Sequence, residues 1–524
     1  MQAAKDTPSE PISHSVWSRW DTVALLTVLF VAVFLRAWHL THTEVAARDS
    51  IGFIRIAWRL KQAPVSEWPN VIRESRQHPG YPLAILAMSS PVEAVSDASD
   101  AYRMQWAAQI ASALASILLV IPTFLLGREL FDRRVGFGTA LVMQCLPVAG
   151  RIFADGLSEG LFLLFAASSL LWATRALKQE SAPGAYALTG LFSALAYLVR
   201  PEGLFIVLAT GLVLLVRCWR SWKPLVVNGL SLSLASLALV LPYVLMLGAL
   251  TAKPTGKLIL RNETAQLQQQ QSNGPLLAVW MRDYDNLTKR SLFAINALIK
   301  ELVEASFYFG WLPLILGLWW FRGRFREVAG LWVMLIVSML VLIVLWRVAL
   351  LAGYLSSRHT LLAVFCFSFW TVVGLMRISQ MLFKKWGKPL SENSSWALIL
   401  PVLFAMTALP KTMKPLHQHR AGFRQVGEWL SKSTHPIDQI VDPFCWSHYY
   451  AGRVFLEGTS TPIPEGYQAK QLIVMEEAGN PHRRLSHLPR LIKKVEKSGR
   501  SPVYTWEGYR GRKKVKVHIY ALDF

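Results

Sequence analysis

Two aspartates lie at the ends of long apolar segments, where a carboxylate could act as a general base. Asp49 follows the first such segment, and Asp155 occupies a short polar break between two later ones. A carboxylate that reaches a hydroxyl group can take its proton as the oxygen attacks a carbon centre. Asp155 could instead bind an acceptor, assist as a second carboxylate or hold a metal. Either residue could also simply cap the helix that follows it, because Asp is favoured at helix N-termini.

Two arginines, Arg200 and Arg358, lie at the ends of other apolar segments. A charged side chain forced toward the centre of a bilayer costs about 2.5 to 3.5 kcal/mol, so each guanidinium is expected to face water, a cavity or an anion. A phosphate group would pair well with either one. The structural alternatives are snorkelling to the membrane surface and, for Arg200, an ion pair with Glu202 across one proline.

His78 precedes Pro79 and Gly80, which together form a turn, so its first interpretation is a loop anchor. With Glu67 and Glu74 it could coordinate a divalent metal, but the spacing matches no strong metal signature. A metal is therefore left open rather than predicted.

The elements that must position these residues are membrane-spanning helices. Of the 524 residues, 53% are hydrophobic and only 17% charged, and the mean hydropathy of +0.33 is too high for an ordinary soluble protein of this size. Apolar segments long enough to cross the roughly 30 Å hydrocarbon core recur along most of the chain. We predict about eleven spans, of which the third and fourth are short enough to be a re-entrant or tilted pair. Their approximate bounds are 22–40, 105–127, 136–150, 157–174, 185–199, 202–217, 225–248, 304–321, 329–348, 359–377 and 396–410.

The basic residues alternate with the predicted spans and indicate the orientation. The net charge is +22, and every second short loop is basic. These loops contain Arg128, Arg133 and Arg134; Arg175 and Lys178; Arg217, Arg220 and Lys223; Arg322, Arg324 and Arg326; and Arg377, Lys384, Lys385 and Lys388. By the positive-inside rule, the N-terminus (1–21) is cytoplasmic and the first span is an uncleaved signal anchor. Charge in this pattern indicates topology and contact with anionic lipids, and it does not indicate a nucleic-acid partner.

Three longer segments are then expected outside the cytoplasm: the loops 41–104 and 249–303, and the tail 411–524. In the first loop we predict a helix over residues 50–62 that lies in the membrane interface. Its polar stripe would consist of Arg48, Arg55, Arg59 and Gln62. The second loop could close over a substrate as a lid, or equally be a mobile polar loop.

The tail is predicted to be a small α/β domain. Its strand-like segments are 439–442, 471–475, 502–506 and 515–522, and its helices are 423–431 and 488–497. The four cysteines are scattered, so no disulfide framework is implied. The predicted fold class is therefore an all-α polytopic membrane domain, residues 22–410, followed by a small C-terminal α/β soluble domain.

Five short strings occur in register along the predicted membrane domain. They are Ala47-Arg48-Asp49-Ser50-Ile51-Gly52-Phe53, Gln77-His78-Pro79-Gly80-Tyr81-Pro82, Asp155-Gly156-Leu157-Ser158-Glu159, Leu198-Val199-Arg200-Pro201-Glu202-Gly203 and Gly353-Tyr354-Leu355-Ser356-Ser357-Arg358-His359. In this order and at these positions, they resemble the GT-C superfamily of membrane glycosyltransferases. The branch they resemble is that of the protein O-mannosyltransferases and the aminoarabinose transferase of lipid A, over about residues 20 to 410.

This resemblance implies a glycosyltransferase that moves a sugar from a polyprenyl-phosphate donor to an acceptor at the outer face of the membrane. It gives Asp49 the role of catalytic base, with Asp155 in support. The matching residues for substrate binding are Arg48, His78, Tyr81, Arg200, Glu202, Arg358 and His359. The acceptor would be a protein, a lipid or a glycan. No cofactor is certain, and a divalent metal stays open because no cluster here matches the dedicated metal ligands of some members. By analogy the membrane is a bacterial inner membrane, with the C-terminal domain outside the cytoplasm.

Two other functions stay open on sequence alone. A transporter or lipid flippase should have charged residues near the bilayer midplane and often an internal repeat with broken helices. Neither is evident, because the charged residues fall at the ends of spans and no half of the chain resembles the other. A non-catalytic membrane scaffold, with its tail as a binding module, would make the five strings accidental.

Overall fold

The structure is a computed structural model. It describes residues 17–75, 77–251, 287–388, 390–391, 394–442, 444–457, 465–477, 488–510 and 513–523. Residues 252–286, which make up most of the second predicted outer loop and its expected lid, lie outside the described residues.

The chain from its first described residues to Thr412 is built from helices. They are α1 (Arg19–Thr41), α2 (Arg48–Gln62), α3 (Trp68–Glu74), α4 (Gly80–Val95), α5 (Asp100–Leu118), α6 (Val120–Leu130), α7 (Arg133–Cys145), α8 (Pro147–Ile152), α9 (Glu159–Ala176), α10 (Pro183–Val199), α11 (Leu204–Arg217), α12 (Trp222–Leu247), α13 (Leu287–Ala305), α14 (Trp311–Trp320), α15 (Arg324–Glu327), α16 (Ala329–Ala352), α17 (Leu361–Lys385) and α18 (Ile399–Thr412). Short 3-10 turns at Pro201–Gly203 and Ser357–Thr360 lead into α11 and α17. The predicted helical character of this part of the chain is confirmed.

Six helical segments among the described residues are long and apolar enough to cross a membrane. They are Arg19–Thr41, Asp100–Leu130, Trp222–Leu247, Ala329–Leu351, Ser357–Lys385 and Ser395–Thr412. The apolar helices Pro183–Val199 and Trp311–Trp320 are shorter. The predicted count of about eleven spans is therefore not confirmed and stays a prediction. One reason is that several predicted spans are interrupted, as where Pro147 starts a new helix after α7.

The first predicted outer loop contains more structure than its sequence suggested. The predicted helix over residues 50–62 is present as α2, and its apolar side chains are buried, among them Ile54 and Leu60. They pack against α4, a helix that we did not predict, and against α5. The protein itself therefore covers the apolar face that we expected to meet the membrane interface.

The predicted basic loops meet at one end of the helices. Arg175 Nε lies 3.1 Å from Glu129 Oε1, which joins the loop after α9 to the end of α6. Arg324 Nε donates to the carbonyl of Leu130 over 3.2 Å, which joins the loop after α14 to the same end. If every second loop is basic, the basic loops must lie at the same end of the helices, and these loops do. The side of the membrane that this end faces stays a prediction.

The tail folds around a four-stranded sheet. Its strands are β1 (Gln439–Val441), β2 (Lys470–Glu477), β3 (Tyr504–Arg510) and β4 (Lys513–Asp523), and its helices are α19 (Ala421–Ser433), α20 (Trp446–Tyr450) and α21 (Leu488–Ser498). The strand order is β1-β2-β4-β3, with β1 parallel to β2 and the other pairs antiparallel. All four strands and both helices predicted from the sequence are present, with shifted ends. The short helix α20 was not predicted.

The tail is joined to the segment that leads into α2. The Leu416 backbone pairs with this segment, donating to the His42 carbonyl over 2.9 Å and accepting from the Glu44 N–H over 3.1 Å. Trp446 Nε1 donates to the Ala46 carbonyl over 2.7 Å. These bonds hold the backbone directly before Arg48 and Asp49, so the tail contributes to the position of both side chains.

Candidate active site

Asp49 lies in the first turn of α2, and its carboxylate forms an ion pair with the guanidinium of Arg358. The N-cap of α2 is Ala47, so the capping role considered for Asp49 is not what the structure shows. Asp49 keeps 46% of its side-chain surface exposed. The carboxylate is thus held by one cation and still accessible to a ligand.

Arg358 extends from the 3-10 turn that precedes α17. Its side chain is 27% exposed, and its charge also acts on Glu159 at the start of α9. His359 lies close to the same group, and the centre of its ring is 6.3 Å from the centre of the Tyr354 ring. Within the described residues its Nδ1 atom has no hydrogen-bond partner. The string around Arg358 therefore brings a cation and an imidazole to the acids from other helices.

Arg200 is buried between two carboxylates. Its Nη1 atom lies 2.7 Å from Glu159 Oε1, and its Nη2 atom lies 3.2 Å from Glu202 Oε1. Only 8% of the Arg200 side chain and 4% of the Glu159 side chain are exposed. The ion pair with Glu202, which the sequence offered as an alternative to phosphate binding, is present. A phosphate could reach Arg200 only after displacing one of these partners.

Asp155 is bound by His417, at the junction of α18 and the tail. His417 Nε2 lies 2.8 and 2.9 Å from the two carboxylate oxygens of Asp155. Asp155 does not cap α9, whose N-cap is Ser158. His417 has a φ of 55°, a left-handed conformation that few non-glycine residues adopt, so the turn that presents its ring is strained.

The start of α2, which carries Asp49, is in contact with the loop that carries Asp155. Gly156 has a φ of 67°, and a Cβ there would lie 2.6 Å from Ser50 Oγ. Only glycine allows both this backbone conformation and this approach. Ser50 directly follows Asp49 and Gly156 directly follows Asp155, so the fold brings the two predicted catalytic acids to one region.

The remaining predicted site residues are dispersed around this region. His78 is fully buried, with Nε2 2.9 Å from Thr251 Oγ1 and its ring 5.3 Å from the rings of Tyr197 and Tyr243. This environment agrees with the loop-anchor interpretation. Tyr81 is also fully buried, and its hydroxyl donates to the Ala108 carbonyl over 2.7 Å.

Arg48 is exposed and reaches the tail instead of another site residue. It contacts the thiol of Cys445, whose pKa is raised by burial and by Asp442, against the opposing effect of Arg48 and Arg55. Arg48 therefore lies where the tail covers the start of α2. A ligand held between the tail and Asp49 would meet this side chain.

Two residues of this region, Glu159 and His417, were not among the predicted site residues. Glu159 had a usable signal, since an acid at the start of an apolar helix, four residues after Asp155, is costly to bury without a partner. His417 had none, because it lies 262 residues from Asp155 in a segment with no motif. Only the fold brings that pair together.

Three of the residues considered for a metal, Glu74, His78 and Asp155, have other partners in the structure. Glu74 pairs with Arg59 at 2.6 Å, and His78 with Thr251. Asp155 has both carboxylate oxygens within hydrogen-bond distance of His417. Among the described residues, no three His, Cys, Asp or Glu side chains are grouped to hold a metal ion.

Comparisons with known proteins identify the fold of the chain. The family model described as dolichyl-phosphate-mannose-protein mannosyltransferase matches residues 102–246. No curated protein matches the sequence. Among solved structures, ArnT from Cupriavidus metallidurans in the apo state is 12% identical, covers 95% of this chain and 98% of its own, and has a TM-score of 0.54. The chain has the GT-C fold.

Two further solved structures show the same fold. ArnT bound to undecaprenyl phosphate is 12% identical over 95% of this chain and 97% of its own, with a TM-score of 0.51. AglB, the oligosaccharyltransferase of Archaeoglobus fulgidus, in complex with an inhibitory peptide and a dolichol-phosphate, is 13% identical with a TM-score of 0.51. That match covers 83% of this chain and 64% of AglB, so this chain spans less than two thirds of the archaeal enzyme.

The predicted resemblance to the GT-C membrane glycosyltransferases is confirmed. So is the prediction of an integral, multi-pass membrane protein, given the six long apolar helices. The family match and the related structures also support the prediction of a glycosyltransferase that uses a lipid-linked sugar.

Proposed function

We propose that this GT-C chain transfers a sugar from a polyprenyl-phosphate donor to an acceptor, with Asp49 as the general base. The observation that carries the proposal is the ion pair between Asp49 and Arg358, which puts a carboxylate that can accept a proton beside a cation that can bind a phosphate. A transfer of this kind needs both groups at one place. The pair lies at the end of the helices opposite the basic loops. The charge pattern assigns the end with the pair to the outer face.

The donor class is supported by what related proteins bind. ArnT has been solved with undecaprenyl phosphate, and AglB with a dolichol-phosphate. Both ligands are lipid phosphates, and the matching family model is named for a dolichyl-phosphate sugar. We infer that Arg358 binds the donor phosphate, because it pairs with Asp49 and is 27% exposed, against 8% for Arg200.

The proposed step breaks one bond and forms another at the anomeric carbon. Asp49 takes the proton of the acceptor hydroxyl as its oxygen bonds to the anomeric carbon. The bond from that carbon to the phosphate oxygen breaks, and the electron pair leaves with the lipid phosphate. Arg358 stabilises the negative charge that develops on this phosphate.

Donor binding changes the partner of Arg358 in this scheme. Before the donor arrives, Arg358 is occupied by the Asp49 carboxylate. A phosphate competes with that carboxylate for the guanidinium, since both anions bind it through two oxygens. The donor therefore separates Asp49 from Arg358 and leaves the carboxylate next to the sugar, ready to meet the acceptor.

Glu159 supports this exchange by holding two cations near each other. Without it, the guanidinium groups of Arg200 and Arg358 would repel one another in a buried region. Because Arg200 is bound by Glu159 and Glu202, its role is to fix Glu159, and Arg358 is the cation left to bind the donor. Asp155, with His417, then lies on the side of the tail, where we place the acceptor.

The experiment is transfer of label from radiolabelled polyprenyl-phosphate sugars by the purified protein in lipid. Asp49→Asn removes the base with little change in shape, so we expect turnover to fall by about 100-fold or more while the protein stays folded. The matched control is Asp97→Asn, an exposed acid in the loop between α4 and α5. A parallel reaction with chelator tests for a metal.

Two results would overturn the proposal. Full turnover by Asp49→Asn would remove Asp49 from the mechanism. No turnover with any donor, from folded wild-type protein, would leave the transporter or scaffold interpretation in its place.

A further inference from the structure

The end of the helices opposite Asp49 contains two adjoining cavities of about 300 and 690 Å³, which share Arg377 and Gln380. The smaller one lies between the start of α7, the end of α14 and α17, and the larger one between Trp320 and the last turns of α17. Cavities of this size are typical of sites for small molecules.

These cavities are strongly basic. Five basic side chains and one carboxylate, that of Asp132, line them. The basic residues are Arg134, Arg324, Arg377, Lys384 and Lys385. Arg134 pairs with Asp132 at 2.7 Å. Within the part of the chain that the structure describes, Arg377, Lys384 and Lys385 of α17 form no ion pair, so the cavities have excess positive charge.

Helix packing explains why α17 leaves this surface open. Gly317 of α14 and Gly374 of α17 meet where a side chain on either would collide with the backbone of the other helix. Beyond this contact α14 ends at Trp320, whereas α17 continues to Lys385. The last two turns of α17 therefore extend past α14.

One face of these turns carries the basic residues. Arg377, Met381, Lys384 and Lys385 follow the spacing i, i+4, i+7 and i+8, which places them along one side of a helix. Arg377 Nη1 donates to Gln380 Oε1 over 3.2 Å, which directs it along the helix and toward the larger cavity. The stripe combines cations with one long apolar side chain.

Large exposed apolar side chains surround the cavities at the same level. Trp319, Met381, Trp386 and Trp396 are 63%, 53%, 68% and 65% exposed. Tryptophan at this density is typical of the boundary between membrane and water. A ligand in the larger cavity would thus have cations at its head and lipid-facing apolar groups beside it.

We propose that this α17 basic site binds the phosphate headgroup of an anionic phospholipid in the leaflet at this end of the protein. The cations match the phosphate, and the exposed Met381 and tryptophans match acyl chains, which a free phosphate lacks. Basic pockets between membrane helices on the cytoplasmic side bind lipid headgroups in this way. The site is separate from Asp49, so the inference does not depend on the proposed transferase activity.

The test is native mass spectrometry of the full chain in mild detergent, titrated with phosphatidylglycerol or phosphatidylcholine. The site variant is Arg377→Gln/Lys384→Gln. Its matched control is Arg220→Gln/Lys223→Gln, which removes the same two charges from another exposed loop at the same end. We expect wild type and control to retain phosphatidylglycerol, and the site variant to bind it about tenfold or more weakly.

Each other outcome would overturn the lipid site. Equal losses in the two variants would mean general attraction by surface charge, and equal binding of phosphatidylcholine would exclude headgroup recognition. Retention of inorganic phosphate without any retention of phosphatidylglycerol would identify a soluble phosphate as the ligand. Should the site variant fail to fold, Lys384→Gln/Lys385→Gln alters only exposed side chains and is expected to give the same loss.

Discussion

Arg358 binds the carboxylate of Asp49. The side chain expected to bind the donor phosphate is therefore paired with the side chain expected to accept the proton. This arrangement is stable without substrate, because neither charge is left unpaired. Both side chains are partly exposed, at 27% and 46%, so a donor phosphate can reach Arg358 without unfolding any helix. In the proposed reaction, donor binding is therefore also the event that frees the base.

Replacing Arg358 by alanine should weaken donor binding more than acceptor binding. Removing a charged hydrogen-bonding partner costs about 1.5 to 3 kcal/mol, which corresponds to roughly 10- to 150-fold in donor affinity. Arg358→Lys keeps the charge but not the bidentate geometry, so its effect should be intermediate. The measurement is the apparent affinity for donor and for acceptor in the transfer reaction.

The control for this prediction is Arg59→Ala, which removes an arginine from an exposed pair with Glu74 on the outer surface of α2. It should change neither affinity. If Arg358→Ala leaves the donor affinity unchanged, Arg358 does not contact the phosphate.

Glu159 should be important for stability, because it is the buried partner of Arg200. Breaking a buried ion pair by removing one charge costs about 3 to 5 kcal/mol, and the lower end applies here since Glu202 still pairs with Arg200. We expect Glu159→Gln to lower the midpoint of thermal unfolding clearly. Glu74→Gln, in an exposed pair, should change the free energy of unfolding by at most about 1 kcal/mol. Similar midpoints for the two variants would contradict the buried network.

The sequence predicted the types of groups in the site but not their pairing. Charged residues at the ends of apolar segments stand out because burial of a charge is costly, and this singled out Asp49, Arg200 and Arg358. Which carboxylate meets which guanidinium depends on how the helices pack, and no local pattern contains that information. Arg200 shows the consequence, since its neighbour Glu202 was foreseen and its buried partner Glu159 was not.

The fold was predictable to the same extent. The length of an apolar segment identifies most membrane helices, and the alternation of apolar with polar residues identified the strands of the tail. The helix α4 was missed because its apolar run is short, contains Pro91 and lies in a segment assigned as an outer loop. The docking of the tail onto Ala46 could not be foreseen either, because Trp446 and Tyr450 bind backbone and side chains far away in sequence.

Asp155 and His417 should act as one unit in catalysis. If His417 positions the Asp155 carboxylate, Asp155→Asn and His417→Gln will each lower turnover, and the double variant will be no worse than the more damaging single variant. A purely structural histidine would instead lower stability and leave the acceptor KM unchanged. His419→Gln, an exposed histidine two residues further on, is the control. Additive losses in kcat would show that the two residues work independently.

Docking of the tail should weaken in mildly acidic solution because of His448. Burial lowers the pKa of His448 below its ordinary value of 6.5, with Arg55 acting in the same direction and Glu457 opposing it. His448 Nε2 lies 3.7 Å from Glu457, which also pairs with Arg55 of α2 at 2.9 Å. Protonation of His448 would therefore place a positive charge at the contact between the tail and the first outer loop.

The sign of the effect follows from which state binds the proton first. In the unfolded chain His448 is protonated as the pH falls through about 6.5, whereas the folded chain resists protonation until a lower pH. Its contribution to stability is thus present above pH 6.5 and lost below it. Between about pH 7.5 and 5.5, thermal unfolding of the wild type should shift downward more steeply than that of His448→Gln. His419→Gln should follow the wild type, and parallel curves for wild type and His448→Gln would mean that another group sets the pH dependence.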